Sequence, residues 1–147
     1  MSIKNLDQLY RQVIMDHYKK PHNYGQIDSK DKITIDMNSP TCGDRIQLHL
    51  AIKDNVIEDA KFTGEGCSIS LSSASMMTEA VKGLAVEKAL HLSKIFSDMV
   101  QGKEWDDDDL DLGDLQALQG VSKFPVRVKC ATLAWKAMEK GIRENPS

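Results

Sequence analysis

The chain contains no apolar run long enough to cross a membrane as a helix, so a helical membrane protein is excluded and no membrane partner is expected. It also lacks the lysine- and arginine-rich block that grips nucleic acid, and no nucleic-acid partner is expected either. Its first residues, MSIKNLDQLYRQ, show no hydrophobic signal region, so neither export nor transit is expected and the location read from them is cytoplasmic. Cysteine is scarce. Cys42, Cys67 and Cys130 are the only three, and three cannot all pair with one another. Without a secretion signal they read as reduced residues: metal ligands, nucleophiles or small core side chains.

What is present is enough for one compact domain with a real core, and residues 1–147 are read as that single domain. The net charge of −3 hides an uneven distribution. Glu104, Asp106, Asp107, Asp108, Asp109, Asp111 and Asp114 place seven acids in one short window without a base, which leaves the rest of the chain at +4. This window reads as a solvated insertion, with docking or solubility as its functional alternative.

The hydrophobic pattern divides the chain into elements. Residues 5–20 carry Leu6, Leu9, Tyr10, Val13, Ile14 and His17 at helical spacing, with Asn5 as the expected cap and Pro21 and Gly25 ending the helix. Residues 24–40 read as a loop. Ile46, Leu48, Leu50 and Ile52 alternate along a half-buried strand, and Val56, Ala60 and Phe62 mark a second strand. Lys53, Asp54 and Asn55 supply the turn of an antiparallel hairpin. Matching the apolar faces sets Ile46 opposite Phe62 and Leu48 opposite Ala60. That register puts Cys42 opposite Gly66 and Asp44 opposite Gly64, and a slip of one puts Cys42 opposite Cys67. In either case Cys42, Asp44 and Cys67 meet at one end of the hairpin, where the two glycines leave room.

Beyond the hairpin the period becomes helical. Ser68 is the expected cap of a helix bearing Ile69, Ala74, Met76, Met77, Ala80, Val81 and Leu84, with the two methionines filling core. Cys67 then sits at a helix N-terminus, where the dipole favours a thiolate. Residues 86–101 form another helix. After the acidic window, Phe124 and Pro125 precede a last helix whose apolar stripe is Cys130, Leu133, Ala134, Ala137 and Met138. Cys130 can therefore face the same core as the hairpin.

Spacing alone leaves two readings of the cysteines, buried small hydrophobes or metal ligands. An aspartate beside thiolates separates this set from closed structural zinc sites, which are usually built from Cys and His. It suits a metal that must release a ligand. Arg127 and Lys129 flank Cys130 and either offset the site's negative charge or simply solvate the start of the helix. None of His17, His22, His49 or His91 forms a Cys–His signature, which argues against a stand-alone cysteine hydrolase. His17 lies on the apolar stripe of its helix and reads as a core residue. His49 falls on the polar strand face and is expected to be solvent-exposed.

Four stretches, LYRQVIMDHYKKPHNYG, SPTCGDRIQLHL, GEGCSISLSSASMMTEAVKG and RVKCATLAWKAM, together resemble the U-type iron–sulfur cluster assembly proteins, the SufU and IscU family that includes the NifU N-terminal domain. They occur in the family's order and cover nearly the whole chain. Lys129, where the IscU branch has histidine, and the added segment KEWDDDDLDLGDLQALQGVSKF are similar to the SufU branch. The resemblance implies an α+β fold: a small, mainly antiparallel sheet with helices packed on one face and a metal site at the exposed end of the sheet. It implies zinc held by Cys42, Asp44, Cys67 and Cys130, with Cys42 as the catalytic persulfide acceptor. It implies a pyridoxal-phosphate cysteine desulfurase of the SufS type as sulfur donor and downstream cluster assembly proteins as recipients. The family's alternative role is a scaffold carrying a transient iron–sulfur cluster, and the same thiolates can ligate iron.

Overall fold

A computed structural model describes residues 3–27, 32–39, 43–105 and 112–144. Cys42 and the acids of 106–111 lie outside the described residues. The fold is α+β. Helix α1 spans Ile3–Lys19, followed by strands β1 (Ile33–Ser39), β2 (Asp44–Lys53) and β3 (Val56–Glu65). Helices α2 (Ser68–Val81) and α3 (Val86–Val100), a 3-10 segment (Gly113–Lys123) and helix α4 (Pro125–Glu144) complete it. Among the described residues no helix is long and apolar enough to cross a membrane.

The strands form one antiparallel sheet in the order β1-β2-β3. Strand β1 corrects the reading of residues 24–40 as loop. Ile33, Ile35 and Met37 alternate with polar residues, but only Ile35 is fully buried because β1 is an edge strand. Its weak alternation reflects that half-exposed position.

The hairpin register also differs from the sequence reading. Asp54 and Asn55 both take left-handed backbone angles, φ 52° and 63°, so a tight two-residue turn pairs Lys53 with Val56. A bulge between Ala51 and Ile52 then shifts the ladder. Leu48 therefore faces Phe62, and Ile46 faces Gly64. The displacement from the expected pairing is two residues, so every side chain keeps its face. The bulge explains one further difference: Ile57, not Val56, turns fully inward.

His49 is 2 % exposed, against the expectation of a solvent-facing residue. Strand β2 is central, and Thr34 and Lys61 flank His49 from the two neighbouring strands. Its Nδ1 lies 3.2 Å from Thr34 Oγ1, and Nε2 has no hydrogen-bond partner among the described residues. Burial, then the charge of Lys32, holds its pKa below the usual histidine value.

Helix α4 packs on β1 and β2, while α2 packs on β3 and α4, so the apolar sheet face is closed by helices. Trp135 of α4 stacks on Phe96 of α3 with ring centroids 4.5 Å apart. Its indole N–H donates to Ser73 Oγ at 3.1 Å, and Ser73 in turn donates to the Ala131 carbonyl at 2.6 Å. These bonds satisfy polar groups on two helices buried against each other. Pro125 opens α4, a position where its missing N–H costs nothing. Asn5, expected as a cap, lies inside α1. Met76 and Met77 fill core as expected.

Candidate metal centre

Three elements bring their ends together at one edge of the sheet. Asp44 is the first residue of β2, Cys67 immediately precedes α2, and Cys130 lies in the second turn of α4. One ligand atom from each lies within 4.8 Å of the others, and no other such group of His, Cys, Asp or Glu occurs among the described residues. The sequence expectation that Asp44 and Cys67 meet at the end of the hairpin holds, and Cys130 joins them. Cys42 is two residues before Asp44, so the chain cannot carry its Cα more than about 7 Å from that of Asp44.

Asp44 is 1 % exposed. Its Oδ1 accepts the Cys67 backbone N–H at 2.9 Å, and its Oδ2 lies 3.8 Å from Cys67 Sγ. The room for this carboxylate comes from Gly66. A Cβ at that position would sit 2.5 Å from Asp44 Oδ1 and 2.9 Å from Cγ. The glycine opposite Asp44 is therefore Gly66, where the sequence reading set Gly64, because of the shifted register. Cys67 itself, not Ser68, caps α2: its Sγ accepts the Ser70 N–H at 3.5 Å. Cys67 is a free thiol. Metal binding needs its reduced form.

The donor set fits a tetrahedral dication. Zinc–sulfur and zinc–oxygen bonds of ~2.3 and ~2.1 Å at a tetrahedral angle require a sulfur–oxygen edge of about 3.6 Å, close to the 3.8 Å between Cys67 and Asp44. A buried carboxylate is costly without a counter-charge, and among the described residues no lysine, arginine or histidine forms an ion pair with Asp44. A bound cation would supply that charge. Arg127 and Lys129 are both exposed at the start of α4.

The histidines stand apart from this centre. His17 is buried between Ser75 Oγ, 2.7 Å from Nδ1, and Asp114 Oδ2, 2.8 Å from Nε2. It reads correctly as a core residue, and it ties α1 to α2 and to the 3-10 segment. Asp114 thus anchors His17 through Oδ2, although its side chain stays largely exposed. Sequence reasoning missed this because nothing in the spacing links residues so distant.

Beside the centre, Tyr10, Ile14, Ile69, Val121 and Phe124 line a mostly apolar groove of about 570 Å3, with Arg11, Lys123 and Arg127 also on its wall. Phe124 and Val126 remain exposed there and on the adjoining turn of α4.

The family described as NifU-like N terminal domain matches residues 9–131. A zinc-dependent sulfurtransferase, SufU of Bacillus subtilis, is 67 % identical over 138 residues, covering 94 % of this chain and 92 % of that protein. An iron–sulfur cluster assembly scaffold protein, IscU of Streptococcus pyogenes, is 46 % identical over 99 % of this chain and 89 % of its own length. Among solved structures, a putative scaffold protein for the SUF system from Fervidobacterium islandicum superposes with a TM-score of 0.83 at 32 % identity. That match covers 92 % of this chain and 97 % of the other.

Proposed function

Since the chain belongs to the NifU-like N-terminal domain family, we propose that it is a zinc-holding sulfur acceptor for iron–sulfur cluster assembly. Its donor is a pyridoxal-phosphate cysteine desulfurase of the SufS type, and downstream cluster assembly proteins receive the sulfur. The reading rests on similarity to a zinc-dependent sulfurtransferase and on one physical observation: a carboxylate 1 % exposed, without a basic partner among the described residues, beside two cysteine sulfurs. Cys42, Asp44, Cys67 and Cys130 are the ligands in this proposal, and Cys42 accepts the sulfur. A cytoplasmic location suits a site that works with reduced thiols.

Zinc, when bound, keeps its cysteines as thiolates and braces the ends of β2, α2 and α4. The chemistry then belongs to Cys42. Its thiolate attacks the outer sulfur of the donor's persulfide. The donor's sulfur–sulfur bond breaks, a new one forms on Cys42, and the donor cysteine leaves as a thiolate. Asp44 and Cys67 are held by the Cys67 N–H and the Ser70 N–H, so neither has to move.

The test is incubation of reduced, zinc-loaded protein with a cysteine desulfurase and free cysteine, followed by mass spectrometry of separated peptides. A gain of ~32 Da on the Cys42 peptide is expected, and Cys42→Ala abolishes it. Sulfur found only on Cys130 refutes the carrier mechanism. Stoichiometric iron and sulfide without zinc in freshly purified protein moves the scaffold reading ahead, a reading favoured by similarity to proteins named as scaffolds.

A further inference from the structure

Two buried polar side-chain atoms have no hydrogen-bond partner among the described residues, His49 Nε2 and Ser70 Oγ. Ser70 is 1 % exposed and lies one helical turn after Cys67. Burying a hydroxyl without a partner is unfavourable, and native structures rarely do so without a reason. The local geometry supplies one. Ser70 is the third residue of α2, the position from which a Glu or Gln side chain reaches back to the backbone N–H of the capping residue. Here that N–H belongs to Cys67, and it is already committed to Asp44 Oδ1 at 2.9 Å. The Ser70 hydroxyl oxygen therefore receives no bond from that donor. Its own backbone N–H points to Cys67 Sγ at 3.5 Å, and a side chain on a helix leans toward the N-terminal end, where Cys67 lies.

We propose that Ser70 is a positioning residue of the metal centre: in the loaded protein its hydroxyl donates to the Cys67 sulfur. The inference rests on the reading of Cys67 as a ligand. A metal-held sulfur accepts charge-assisted hydrogen bonds better than a free thiol does, so the hydroxyl finds its partner when Cys67 holds the metal. Two N–H and O–H donors from one residue then fix the sulfur's orientation and spread its charge. Groups that orient a ligand from behind commonly govern metal retention by ~10–100-fold.

This makes the free and loaded proteins respond to one substitution with opposite sign. Ser70→Ala deletes a hydroxyl that has no partner among the described residues, so the metal-free melting temperature stays level or rises. In the loaded state the same change removes a donor to the sulfur, so zinc passes to a chromogenic chelator faster, by ~10-fold or more. In the cobalt-substituted protein the thiolate-to-metal charge-transfer band shifts as well. A release rate equal to wild type with an unmoved cobalt band overturns the proposal. So does an equal fall in melting temperature with and without metal, which identifies Ser70 as packing alone. Cys67→Ser tests the underlying ligand assignment separately: a variant that still holds one zinc as tightly as wild type removes Cys67 from the site, whatever Ser70→Ala does.

Discussion

Gly66→Ala is the sharpest probe of how the carboxylate is seated. The residue's backbone is not left-handed, so alanine meets no conformational strain there. What it meets is Asp44: the new Cβ would lie 2.5 Å from Oδ1, 2.9 Å from Cγ and 3.1 Å from Cβ. Carbon–oxygen contact needs roughly 3.3 Å or more, so the carboxylate must move by most of an ångström. That breaks the 2.9 Å bond from the Cys67 N–H. A hydrogen bond to a charged group contributes about 1.5–3 kcal/mol. Restricting the unfolded chain by Gly→Ala returns about 0.4–1 kcal/mol. The net loss is about 1–2 kcal/mol, which for a chain of this length lowers Tm by roughly 2–8 °C. The assay is a thermal melt in reductant and chelator, with the metal removed. In an Asp44→Ala background the cost shrinks: the carboxylate is gone, the 3.1 Å contact with the residue-44 Cβ remains, and Gly66→Ala destabilises less than it does the wild type. If Gly66→Ala destabilises Asp44→Ala as much as it does the wild type, the clash lies elsewhere and the seating argument fails.

Two further outcomes follow from the fold. His49 has its pKa depressed below 6.5 by burial, so the unfolded chain takes up its proton first as pH falls. Stability is therefore intact above about pH 6.5 and is lost on moving down toward the folded-state value. In His49→Leu the denaturant midpoint changes less between pH 6.5 and 5, and an unchanged slope refutes the assignment. Trp135→Ala removes the stack on Phe96 and the bond to Ser73, and is expected to cost about 3–5 kcal/mol. Chemical denaturation measures this as a shift in midpoint at constant m-value, and a loss below ~1 kcal/mol contradicts the packing described.

The elements legible in the sequence are those with a strong period. The apolar alternation of Ile46, Leu48 and Leu50 defined β2, and the helical spacing through Leu133, Ala134, Ala137 and Met138 defined α4. Edge strand β1 was missed because one of its faces is solvated and only Ile35 is fully buried. The hairpin register was missed by two residues because a bulge leaves no compositional mark. The 3-10 segment was missed because Leu115, Ala117, Leu118 and Val121 follow neither period cleanly. At the candidate site, the meeting of Asp44 with Cys67 was readable, since face alternation survives a two-residue slip. The specific clearance at Gly66 was not, because it depends on register. Ser70 was unreadable as well: its significance comes from an N–H committed to Asp44, which only coordinates reveal.

The seating of Asp44 bears on how one cysteine can leave the site while the rest holds. Its carboxylate is positioned by the junction of β3 and α2, through the Cys67 N–H and the space at Gly66. It therefore does not depend on the segment that carries Cys42, although Cys42 is only two residues away in sequence. Cys67 is fixed by the first turn of α2, and Cys130 is buried in α4 beneath the same sheet. On the proposed assignment these three donors form a grip that survives the departure of Cys42, leaving one open position. Three protein ligands with a fourth place open is the arrangement of working zinc sites, whereas closed structural sites keep all four. On that assignment, an aspartate anchored from across the hairpin, not from its own loop, would separate holding the metal from handing over the sulfur.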